Sequence, residues 1–219
     1  MFIFGNLLRL RLKAWDGGLS NMLASILSWV AVVIVAGTSI ALLISRDWRW
    51  DLGILAGQYV GVFILVAQHW PLGMAAAKLV TGWMATAALG MTLTALPQRP
   101  EIVEQSWPQG RFFRLFVAGM MVVLTAAVTP RLQNILGGVG APVIAGTVLL
   151  TGIGLLQLAM SSQIARVIFG LLTVLAGFEI LYAAVEGSIL VAALLAGVNL
   201  GLGLVGAYLL VASAPEEVA

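Results

Sequence analysis

Seven long apolar runs divide this sequence, at about 20–45, 52–69, 71–96, 112–128, 141–160, 163–185 and 188–213, and none of them alternates polar with apolar positions. A hydrocarbon core of about 30 Å takes about 20 apolar residues per helix. A membrane-spanning strand needs only about 10 residues of alternating character. The runs therefore predict an all-α, polytopic integral membrane protein of about seven transmembrane helices, with residues 19–213 as a single domain whose solvent is the lipid bilayer. Charge agrees with this, because 9% of the 219 residues are charged, against about 25% in soluble domains.

The segments between the runs carry most of the charge. Residues 1–18 mix apolar residues with Arg9, Arg11, Lys13 and Trp15, which suits an uncleaved segment lying at the headgroup level. RDWRWD at 46–51 reads as an interfacial turn. The stretch 97–111, with three prolines, is expected to be the main extramembrane loop, and TPRLQNILGGVGAP at 129–142 is expected to break the chain after the fourth helix. A short acidic tail occupies 214–219. The positive-inside count favours an external N-terminus, whereas the basic N-terminal segment favours the reverse, so both orientations stay open.

Several function classes drop out. The net charge of +2 includes no basic patch, so nucleic acid is not an expected partner. With no cysteine and one histidine, thiolate catalysis, cysteine-held clusters and histidine-rich metal sites are not expected, and no cofactor is implied. Nucleophile-elbow, phosphate-loop and HExxH patterns are missing.

What remains is a small set of polar groups within apolar helices. Glu179 lies 13 residues beyond Arg166, roughly 20 Å into the sixth helix at 1.5 Å per residue. Burial disfavours charged forms and an opposite charge nearby favours them, so a carboxylate at this depth suits a proton relay or, alternatively, a structural hydrogen bond. Lys78, in the third helix, either snorkels to an interface or meets a carboxylate. Glu186 reads as a charge at the sixth-to-seventh helix junction or as a third relay group. Asn199 and Gln58 read as polar contacts between helices, and Gly53, Gly57 and Gly61, spaced by four, as a close-packing stripe.

The stretch ARVIFGLLTVLAGFEILYAA at 165–184 resembles the second helix of NuoK-type subunits of respiratory complex I, most closely at GFEILYAA. Over nearly the whole chain the layout is similar to hydrogenase-4 component E: about seven helices, a lysine in the third, RVIFG opening the sixth, and an intramembrane glutamate. The resemblance places the NuoK-like part at 141–213. It implies an accessory subunit of a complex I-like, hydrogenase-4-like or Mrp antiporter-like assembly in the cell (inner) membrane, beside larger antiporter-like subunits. Glu179 would then correspond to the membrane glutamate and Lys78 to the third-helix lysine. Three departures stand out: the Arg166-to-Glu179 spacing is longer than in the NuoK pattern, the component E pattern puts its glutamate at Leu175, and helix 7 offers Asn199 where another acid is usual. A structural or assembly subunit is one alternative. A stand-alone small-solute transporter is another, for which inverted repeats are expected; the two halves show none.

Overall fold

The computed structural model describes residues 2–45, 47–96 and 110–213, with side chains from residue 22 onward within those limits. Seven helices follow one another: α1 (Phe2–Ile44), α2 (Trp48–Val66), α3 (Leu72–Ala95), α4 (Arg111–Ile135), α5 (Ala141–Met160), α6 (Ile164–Val185) and α7 (Ile189–Ala212). Each contains a stretch long and apolar enough to cross a membrane, Met22–Ile44 in the case of α1. The chain is an all-α, multi-pass membrane protein whose outer surface is apolar and faces lipid.

Three boundaries differ from the sequence reading. The last four residues of RDWRWD are helical, because Asp47 accepts from the backbone N–H of Arg49 at 3.1 Å as the N-cap of α2, and Trp48 to Asp51 form its first helical turn. Acidic groups at a helix N-terminus satisfy exposed donors and complement the dipole, which starts the helix four residues early. Helix α4 does not end at 128 but runs through Pro130 to Ile135. Thr129 donates to the carbonyl of Thr125 at 2.6 Å just before the proline, the kind of local side-chain bonding that lets a membrane helix carry proline. The break comes instead at 136–140, where Gly138 adopts φ +102°, a conformation that glycine adopts without strain. Finally, the backbone of 2–18 is helical and continues without interruption into the first span. The side chains expected at the interface there, most of the 97–111 loop and the acidic tail lie outside the described residues.

The helices are arranged as two four-membered rings that share an edge. Helices α2, α3, α7 and α6 pack in that cyclic order, and α1, α2, α6 and α5 form the second ring, with α2–α6 common to both. Helix α4 lies outside, against α5 and α1. Arg114, buried at the start of α4, donates to the carbonyl of Leu43 at 3.1 Å and so closes one of the open acceptors at the end of α1.

The close approach of α5 and α6 rests on glycine. A Cβ on Gly154 would come within 2.9 Å of the Val174 nitrogen, and one on Gly177 within 2.9 Å of the Thr151 nitrogen. Lipid supplies no hydrophobic drive between helices, so such close backbone packing is what holds them together. The stripe expected on α2 is only partly of this kind. Gly61 sits where a Cβ would meet Val35 at 2.7 Å, Gly57 makes ordinary contact with Thr38 at 3.8 Å, and Gly53 faces open space. At 3.6 residues per turn a four-residue step overshoots a full turn by about 40°, so Gly53, two steps from Gly61, is turned away from the face that meets α1.

Candidate functional site

The interior of the α2–α3–α7–α6 ring holds Lys78, Glu179, Tyr59 and Asn199. Lys78 of α3 donates to the Glu179 carboxylate of α6, forming an ion pair whose members are 4% and 1% exposed. Their meeting follows from depth. Lys78 is six residues past the start of α3 and Glu179 six residues before the end of α6, so each lies about 9 Å from the same end of the bundle. That end carries the turns 67–71 and 186–188, which Trp70 ties together by donating from Nε1 to the Glu186 carbonyl at 3.0 Å.

A second pair crosses the ring in the other direction. The Tyr59 hydroxyl of α2 donates to Oδ1 of Asn199 of α7 at 2.8 Å, both side chains being buried. The two polar pairs thus bridge both diagonals of the ring, α3 to α6 and α2 to α7. Gly82, one turn after Lys78, makes room for this: a Cβ there would fall 2.4 to 2.6 Å from atoms of the Tyr59 ring. One residue before Tyr59, Gln58 donates from Nε2 to the Thr173 hydroxyl at 3.3 Å, which itself donates to the Phe169 carbonyl. Oε1 of Gln58 and Nδ2 of Asn199 are buried with no protein hydrogen-bond partner, leaving polar capacity within the bundle next to the ion pair.

Of the residues singled out from sequence, Lys78, Glu179 and Asn199 line one ring, and Gln58 sits on its shared α2–α6 edge. Glu186 is not brought to the pair. It is the exposed C-cap of α6, about two turns beyond Glu179, and only its carbonyl makes the contact with Trp70. Tyr59, Thr173 and Gly82 were not expected. A lone tyrosine in an apolar helix reads as core, and only its position beside Gln58 hinted at more.

Comparison with protein-family models, with curated proteins and with solved structures gave no match for this chain. The chemistry must therefore be read from the site. It contains no nucleophile–base pair; what it offers is an acid and an amine in contact, able to pass one proton between them and surrounded by hydroxyl and amide groups.

Proposed function

We propose that this chain is an accessory membrane subunit of a complex I-like, hydrogenase-4-like or Mrp antiporter-like assembly, in which it contributes an intramembrane carboxylate to proton translocation. The observation that carries this reading is the buried contact of Lys78 with Glu179. An ionisable pair within a membrane bundle is costly, and the common reason to keep one is traffic of ions or protons. The resemblance of 165–184 to NuoK-type helices, and of the seven-helix layout to hydrogenase-4 component E, supports this choice of assembly. In this role Glu179 exchanges the proton, and Lys78 sets whether the carboxylate holds it.

Replacement Glu179→Gln preserves volume and hydrogen bonding while removing the exchangeable charge. Proton translocation by the native assembly, followed in sealed vesicles, is expected to be lost while the assembly still purifies intact. Undiminished translocation refutes the relay. Gentle extraction of the tagged chain should also bring down large antiporter-like subunits. A structural role is the second reading, favoured by the way the two polar pairs tie both diagonals of the ring; it predicts that Glu179→Gln either disrupts assembly itself or has no effect.

A further inference from the structure

A line of polar side chains follows the seam between α2 and α6. Both helices run toward turns 67–71 and 186–188, so they are parallel, and the Gln58–Thr173 bond fixes their register. Seven residues before the two members of that bond stand Asp51 and Arg166. Two helical turns take up about 7 residues, so this step of roughly 10 Å returns to the same face of each helix. Asp51 and Arg166 therefore lie level with one another on the seam, near the N-termini of α2 and α6, and they are 3% and 9% exposed. The helix dipole accounts for an acid in the first turn of α2; it does not account for one buried on this face. In the other direction, Tyr59 follows Gln58 directly, and its ring rests against Gly82, one turn from Lys78.

We infer that protons reach Glu179 along this seam, with Asp51 as the entry carboxylate, from the end of the bundle that carries the N-termini of α2 and α6. Toward the nearer end the ring is plugged, since Ala75, Ala183 and Val66, which lie beyond the ion pair there, are buried and apolar. The two carboxylates take up and release the proton, and water carries it between them. Gln58 Oε1 and Asn199 Nδ2, buried without protein partners, order that water, because buried polar groups of this kind are the ones that internal water serves. Arg166 balances the charge of Asp51 at the entry, as Lys78 does that of Glu179 at the far end. No further charge faces either carboxylate from the neighbouring helices: α1 from Met22 onward, α5 and α7 contain no charged residue, and Arg114 of α4 is turned to the end of α1.

That Glu179 passes the proton on rests on the relay reading above; the route by which the proton arrives is measured separately. A pH jump on the chain in lipid nanodiscs, followed by time-resolved infrared absorption, records the carboxylic acid band of Glu179, identified by its loss in Glu179→Gln. Asp51→Asn and Gln58→Leu are expected to slow the appearance of that band about tenfold or more, as loss of a positioned proton-transfer group does. Asp51→Glu, which keeps the carboxylate, is expected to restore the rate. Thr147→Val removes a buried hydroxyl from α5, which is not a wall of the ion pair's ring, and is expected to leave the rate unchanged. Unaltered rates in both seam variants, equal slowing by Thr147→Val, or no Glu179 band on acidification overturns the inference. Slowed protonation in the seam variants, with a Glu179→Gln assembly that still translocates protons, keeps the route and removes the relay. Unaltered kinetics, with a Glu179→Gln assembly that fails to translocate, does the reverse.

Discussion

Breaking the Lys78–Glu179 pair and deleting it are different perturbations. Removal of one partner strands a charge in a buried site, which in proteins generally costs about 3–5 kcal/mol, whereas replacing both with apolar residues of similar size is often neutral. Lys78→Leu and Glu179→Leu alone are therefore expected to lower the unfolding midpoint in detergent well below that of the double substitution. A double variant less stable than either single would contradict the picture of the pair as two mutually neutralising charges. At this scale the sequence was informative about identity and silent about partnership. Lys78, Glu179, Asn199 and Gln58 are conspicuous because polar groups in apolar helices are, but Lys78 and Glu179 stand 101 positions apart. Nothing local records that one is six residues into its helix and the other six from the end of its own. Tyr59 stayed hidden because its ring is as apolar as its surroundings and only its hydroxyl carries the contact.

Helices α2 and α6 show how glycine period and glycine function separate. Gly61 and Gly53 belong to the same four-residue stripe, yet only Gly61 touches a neighbouring helix closely. Gly61→Leu is expected to destabilise the bundle by about 1–3 kcal/mol through overpacking, read as a shift of the thermal aggregation midpoint. Gly53→Leu projects into open space and should leave that midpoint in place. Comparable losses at both sites would mean that Gly53 also packs against a neighbouring helix. Similarly, Gly154→Val and Gly177→Val push against backbone of the facing helix, which cannot swing aside as a side chain can, so both are expected to separate α5 from α6. The existence of each helix was legible from apolar run length, and the missed limits all fall where short-range chemistry outweighs composition. Asp47 caps a helix inside a charged hexapeptide, and a threonine eases the chain past Pro130. The partners of the α5–α6 glycines were unreadable, since a glycine is tight or open only by virtue of what stands opposite.

The two rings divide the protein into unlike halves. The α1–α2–α6–α5 ring draws on the large apolar cluster around Val35, Leu55, Val62, Ile144 and Ile180, whereas the α2–α3–α7–α6 ring has the ion pair and the tyrosine–asparagine bond across its middle. Helix α4, attached on one side only, leaves Phe112, Phe116 and Met120 exposed to lipid. A four-sided frame with hinged corners resists shear only through its cross-braces, and here one brace is a neutral hydrogen bond while the other is held by charge. Neutralising Glu179 is expected to slacken the charged brace alone, so that the frame loses stiffness along one diagonal and keeps it along the other. Spin labels on α3 and α6 should accordingly report a broader distance distribution in Glu179→Gln than in the unaltered protein, with labels on α2 and α7 unchanged; equal broadening on both diagonals would show that the braces do not act separately. Because α6 is also a side of the neighbouring frame, slack along that diagonal would be felt as movement of a shared wall, and a change of charge on one residue would become a mechanical one for helices that never touch it.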